Sequence, residues 1–262
     1  MLYGQGGKGC SMDIMSVLVE ICTGSVEDVL ESEKGGAHRV ELCSALALGG
    51  LTPSIATVLE AKRLSSLPIM VMIRPRSGGF CYSEVEFTTM ERDLEAAAEA
   101  GADGFVFGVL QSDGVVDAKR TARLVKIAAG MPTVFHRAFD VTPDPFEALS
   151  TLIDLGIRRV LTSGQEPSSP NGVELIRELV AKAGDRLEIM PGSGVRVHNV
   201  AELVRTTGCR QVHLSAHKSY VDSSTLNNPR ISFGSPSPPQ EGIVNVIDFE
   251  LVAAIVQAAS VF

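Results

Sequence analysis

Val19-Glu20-Ile21-Cys22-Thr23-Gly24-Ser25, followed after a helix-patterned stretch by Gly35-Gly36-Ala37-His38-Arg39-Val40-Glu41-Leu42-Cys43, reads as one strand-helix unit and the start of the next. The same short pattern, Val-Glu-Ile-Cys and then Val-Glu-Leu-Cys, is written twice, with its two cysteines 21 residues apart. Side chains along a strand alternate sides, so Glu20 shares a face with Cys22, and Glu41 with Cys43. In a parallel sheet covered by helices, a strand carboxylate cannot point into the helix layer without a large desolvation cost. Both Glu-Cys pairs are therefore expected to look into one shared, wettable site. Neighbouring strands lie about 4.8 Å apart, which brings the two thiols within reach of one metal ion or one disulfide.

Outward from this stretch the unit repeats. Apolar or β-branched runs recur at 17–22, 39–43, 69–73, 104–107, 132–135, 159–162, 187–190 and 211–214. Helix-patterned segments lie between them at 25–35, 84–101, 117–130, 145–156, 172–184 and 199–208, most closed by a glycine, and a last one covers 248–261. Strand starts are 22 to 35 residues apart, the spacing of βα units, and eight of them predict a closed (β/α)8 TIM barrel. An open doubly wound sheet is the alternative, but the first βα turn, Cys22-Thr23-Gly24-Ser25, lacks the glycine fingerprint of a dinucleotide fold. One domain is expected over 16–262, after a Gly-rich tail at 1–15 read as disordered. The Ser-, Pro- and Asn-rich stretch 216–246 is expected to be a long irregular loop after the eighth strand: a lid, a subunit contact or a disordered segment.

Composition narrows the function. A chain of 262 residues with 45% hydrophobic residues can bury a large core, and a formal charge of −8 without basic runs argues against nucleic acid or an anionic membrane as partner. Five cysteines, at 10, 22, 43, 81 and 209, are odd in number and too scattered for a disulfide framework, which suits a reducing compartment. With no span-length apolar segment and no leader-like start, the expected location is the cytoplasm.

Barrel chemistry sits at the C-terminal ends of the strands. The residues there are Glu20, Cys22, Glu41, Cys43, Arg74, Arg76, His136, Arg137, Asp140, Thr162, Ser163, Gly192, Ser193, Gly194, His213 and Ser215. In Ile73-Arg74-Pro75-Arg76, the proline holds the chain extended, so that both guanidiniums are expected over the mouth, either clamping a carboxylate or phosphate or neutralising Glu20 and Glu41. His136 suits a general base, a proton donor or a ligand, with Arg137 and Asp140 close behind, and a purely structural histidine is the competing reading. His213 is read as structural, one layer below the site. Gly192-Ser193-Gly194, Ser163 and Ser215 occupy the loops where barrels bind anions through backbone N–H groups, though simple tight turns have the same composition. No lysine stands at a strand end before Lys218, so Schiff-base chemistry is poorly supported, and no organic cofactor is expected.

For Cys22 and Cys43 an inert buried pair is one reading and a soft metal ion the other, since Cu(I) accepts two thiolates where zinc usually takes four ligands. Glu20 and Glu41 would raise the thiol pKa values unless an arginine offsets them.

Taken together, these motifs resemble the CutC family. The resemblance rests on Glu20-Ile21-Cys22, Gly36-Ala37-His38-Arg39-Val40-Glu41-Leu42-Cys43, Gly49-Gly50-Leu51-Thr52-Pro53-Ser54, Ile73-Arg74-Pro75-Arg76, Phe135-His136-Arg137-Ala138-Phe139-Asp140 and Arg159-Val160-Leu161-Thr162-Ser163-Gly164, and runs in register from about 17 to 217. It implies a TIM barrel, cytoplasmic and homo-oligomeric, with a copper ion held as Cu(I) by Cys22 and Cys43. An enzyme acting on a small anionic or phosphorylated substrate is the alternative: Arg74, Arg76, Arg137, Ser163, Gly192, Ser193, Gly194 and Ser215 would hold the anion, and His136, Glu20, Glu41 and Asp140 would move protons.

Overall fold

In a computed structural model, which describes residues 17–228, 230–231 and 242–260, eight parallel strands alternate with eight helices. The strands are β1 (Leu18–Thr23), β2 (Arg39–Leu42), β3 (Ile69–Met72), β4 (Gly104–Phe107), β5 (Thr133–Phe135), β6 (Arg159–Thr162), β7 (Glu188–Pro191) and β8 (Gln211–Leu214). The helices are α1 (Val26–Lys34), α2 (Ile55–Leu64), α3 (Glu84–Glu99), α4 (Ala118–Ile127), α5 (Pro145–Asp154), α6 (Val173–Ala183), α7 (Val200–Thr207) and α8 (Phe249–Ala259). Hydrogen bonding runs β7-β6-β5-β4-β3-β2-β1-β8, and β7 packs beside β8, so the sheet curls into a nearly closed barrel. The strands fall within a residue or two of the sequence reading. The helix α2 was not among the segments singled out there.

Local chemistry explains the alternation. Ser25, Ser54 and Ser83 cap α1, α2 and α3 by accepting the N–H of Asp28, Thr57 and Glu86, and Pro145 starts α5 where a missing N–H costs nothing. Val19, Ile21, Val40, Leu42, Val71, Phe105, Phe135 and Val212 point outward and pack with the helices in the main core. The alternate positions face the barrel axis. There Met70, Met72, Val106, Val134, Leu161 and Met190 form a small apolar cluster with Cys43, and the charged residues Glu20, Arg39 and Glu188 meet Gln211.

The expectation of one irregular loop over 216–246 is corrected. His217–Val221 (β9) and Ile243–Ile247 (β10) pair antiparallel from Ile243 opposite Val221 to Ile247 opposite His217. This hairpin is anchored by the buried Asp28, whose carboxylate accepts the N–H groups of Gly24 and Ile247 at 2.9 and 2.8 Å. Ser235-Pro236-Ser237-Pro238-Pro239 and the tail 1–15 lie outside the described residues.

Candidate functional site

The strand C-termini and the hairpin enclose a cavity of about 960 Å3. On one wall, register sets the chemistry. Cys22 pairs with Glu41 across β1 and β2, and Glu20 sits between Arg39 and His213 on its two neighbours. Cys22 Sγ and Cys43 Sγ each lie 3.5 Å from Glu41 Oε2, and His213 Nε2 is 3.8 Å from the same oxygen. Glu41 Oε1 is buried and meets no hydrogen-bond partner. His213 Nδ1 lies 2.8 Å from Glu20 Oε1, and Arg39 donates to Glu20 Oε2.

Glu20 is therefore corrected from a cavity group to a fully buried one, a layer below the thiols. Burial alone would raise its carboxyl, but the Arg39 charge and the bond to His213 outweigh that and hold it at about 2. For His213, burial disfavours the cation, yet the charges and hydrogen bonds of Glu41, Cys22 and Glu20 hold it well above the ordinary imidazole range. Cys22 is lowered well below a free thiol, chiefly by the hydrogen bond from Cys43, against burial and with help from His213. Cys43, the donor in that bond and itself buried, is pushed up. Burial lifts Glu41 to about 8, despite His213 beside it. The wall thus makes Cys22 the readier of the two thiols to ionise, leaves Cys43 the harder one, makes Glu41 the last of its carboxyls to lose a proton and favours a His213 cation seated on Glu20. His213, read from sequence as merely structural, is the group that offsets the acids. The signal was available in parity, since His213 shares its inward face with Ser215 and neighbours Glu20.

The loop after β2 completes this wall. Gly49 and Gly50 take φ of +86° and +81°, and a Cβ on Gly50 would sit 3.1 Å from Cys43 Sγ, while one on Gly49 would sit 3.1 Å from Arg74 Nη1. Glycine at both positions supplies the left-handed turn and lets the backbone lie against the thiol and the guanidinium.

The arginines separate. Arg74 stays at the cavity, donating to the carbonyls of Leu48, Gly50 and Gly78. Arg76 does not: Glu86 of α3 captures it, further carbonyls at Ser77, Gly79 and Cys81 hold it, and its guanidinium stacks on Tyr82. Glu86 is also the N3 residue of the capping box with Ser83, so one carboxylate both starts the helix and withdraws the arginine. Neither arginine neutralises Glu20 or Glu41; Arg39 and His213 fill that place.

His136 lines the cavity. Its Nδ1 accepts the Ala138 N–H at 3.1 Å, and Gly108 leaves room for the ring, since a Cβ there would stand 2.5 Å from His136 Cε1. Burial and then the nearby Arg74 charge lower its pKa to about 3, so the ring is neutral with its proton on Nε2, which is buried and without a partner. Asp140 serves the rim from behind: it accepts from Thr162 Oγ1, Ser163 N and Oγ, Gln165 N and Arg137, while Arg137 also bonds Ser163. Ser163 is spent on these bonds, and Gly192 N–H on the Thr162 carbonyl. Ser193, Gly194 and Ser215 line the cavity.

A TIM barrel with a thiol-bearing mouth is the class this fold and site define. Phosphoribosylanthranilate isomerase from Pyrococcus furiosus shares that fold at 15% identity, with a TM-score of 0.54 over 93% of this chain and 98% of its own. The sequence model of the CutC family matches residues 17–218. The CutC family protein of Treponema denticola is 45% identical over 93% of this chain and 99% of its own, and the human copper homeostasis protein cutC homolog 39% identical over 91% and 87%. A crystal structure of CutC from Streptococcus agalactiae is 36% identical, with a TM-score of 0.73 over 76% of this chain and 98% of that one. The chain belongs to the CutC family, a family associated with copper homeostasis.

Proposed function

We propose that the protein binds Cu(I) through Cys22 and Cys43 and acts in copper homeostasis, in the cytoplasm and as a homo-oligomer. The observation that carries this reading is the convergence of both thiols on Glu41 Oε2 at 3.5 Å, above a floor of Met70, Met72 and Met190. Two sulfur donors on adjacent strands suit a soft monovalent ion, and the apolar floor keeps water away from it. The lowered Cys22 thiol is ready to ligate, while Cys43 releases its proton on binding. An anaerobic competition titration with a Cu(I) chelator tests it. One tight equivalent is expected, lost in the Cys22→Ser, Cys43→Ser double variant; affinity indifferent to that double substitution refutes the assignment.

A second reading is favoured by the cavity itself. About 960 Å3 is far more than one ion fills, and Arg74, His136, Arg137 and Arg196 line it. A small anionic ligand, bound beside the thiols and turned over or sensed there, uses these groups, and His213 with Glu41 then supplies the proton-moving pair.

A further inference from the structure

Arg74 is a buried cation without an acid. It is 6% exposed, and among the described residues no carboxylate forms an ion pair with it. Three of its five N–H groups go to the carbonyls of Leu48, Gly50 and Gly78 at 2.9 to 3.0 Å, which orient the guanidinium but carry no charge. Arg74 lies beside the buried hydroxyl of Tyr82, and neither its Nε–H nor that hydroxyl makes a well-formed hydrogen bond. Of the other arginines at the mouth, Arg76 is paired with Glu86 and Arg137 with Asp140, while Arg196, after β7, gives Nη1 to the Val195 carbonyl. A desolvated charge left unpaired is costly, more so than a buried ion pair, and is retained where a ligand completes it.

His136 adds a second donor of the same kind. Its Nδ1 is committed as an acceptor to Ala138 N–H, which fixes the proton on Nε2, and that N–H is buried without a partner in the wall of the same cavity. Phe80 joins the two, its ring centroid 4.9 Å from that of His136 and 5.3 Å from Arg74 Cζ. One buried cation, one neutral N–H donor and an aromatic face therefore meet at the ends of β3 and β5. This wall carries one net positive charge, so it matches a monoanion with a planar pair of acceptor oxygens better than a phosphate dianion.

We propose that Arg74 and His136 form a carboxylate subsite, in which a small organic acid sets its oxygens against the Arg74 guanidinium and the His136 Nε2–H while its other end reaches toward Cys22, Glu41 and His213. This deepens the reading of the cavity as an anion site and rests on that reading, not on copper. It changes the part assigned to His136: with Nδ1 engaged and the ring neutral, His136 donates a hydrogen bond and takes no proton. Ser193, Gly194 and Ser215, at the ends of β7 and β8, line the cavity on other strands than this pair.

The test uses the full chain, reduced and chelated free of metal, at constant ionic strength and neutral pH. Acetate, pyruvate and malonate are titrated in parallel with inorganic phosphate and chloride. Melting temperature and long-range nitrogen-proton NMR of the His136 ring are read together. At least one carboxylate is expected to raise the melting temperature saturably and to shift Nε2 of His136. His136→Phe is expected to weaken that binding at least tenfold, and His136→Gln, whose side-chain amide keeps a donor, to retain most of it. Arg74→Ala removes the braces to Leu48, Gly50 and Gly78 and so tests folding more than binding; the two His136 variants carry the decision. Equal carboxylate binding in His136→Phe overturns the subsite. Saturable phosphate binding with no carboxylate response overturns it too, while leaving the broader anion reading intact. No response to any of these anions removes both.

Discussion

At the scale of single residues, the site is decided by which charges find partners. Glu20, legible in the sequence as an inward-facing carboxylate, sinks below the cavity because Arg39 and His213 flank it in register on both neighbouring strands. Parity shows the face a residue takes, but the depth at which it stops depends on strand register, which one chain's pattern leaves open. His136 carries a measurable consequence. Its folded pKa of about 3 lies below the ordinary 6.5, so on acidification the unfolded chain takes up the proton first. Its contribution is complete above pH 6.5 and is lost as pH falls toward 3. Urea unfolding of wild type across that range is expected to show stability falling by a few kcal/mol, and His136→Gln to flatten this share of the slope. An unchanged slope in the variant contradicts a buried neutral ring.

Among the elements, strands and most helices were readable because burial is periodic: alternate strand positions enter the helix-facing core, and capping serines precede three of the helices. The β9–β10 hairpin was not, because its residues are mostly exposed or half-buried and His217-Lys218-Ser219-Tyr220-Val221 offers no apolar run. What holds it is a tertiary bond from Asp28, more than two hundred residues earlier, to Ile247 N–H. Asp28→Ala strands the Gly24 and Ile247 amides and is expected to cost about 1–3 kcal/mol. Hydrogen exchange is expected to quicken at Ile247 and along β10, with β1 to β8 protected as before; exchange that rises evenly over the barrel contradicts this anchoring. The displacement of Arg76 has a similar origin. Ser83-Glu-Val-Glu86 is a readable capping box, but that its carboxylate also reaches back to Arg76 is a matter of loop path.

For the whole molecule, the barrel covers its core with helices and leaves apolar side chains exposed at several places, among them the hairpin and the residues that follow it. Tyr220, Val221, Leu226 and Ile231 are 51%, 64%, 55% and 50% exposed. Association surfaces are built from exposed apolar side chains of this kind, which puts the proposed self-association to a test here. Light scattering at micromolar concentration is expected to give a multiple of the chain mass, and Val221→Glu to shift it toward the single chain. A monomer in both cases places self-association elsewhere or nowhere.

The row of charges inside the barrel has one more effect. Glu20, Arg39, Arg159, Glu188 and a His213 cation sum to one positive charge, and the lowered Cys22 thiol is the group placed to balance it. Cys22 is thus placed as a counter-ion with no metal present. Cys22→Ser is expected to lower the His213 pKa and the melting temperature with no metal anywhere in the solution, whereas Cys43→Ser, whose hydroxyl keeps a hydrogen-bond donor beside Cys22, leaves that balance standing. The pocket is held ready by electrostatics alone, the Cys22 thiol lowered first by Cys43 and then by the same histidine whose charge it offsets.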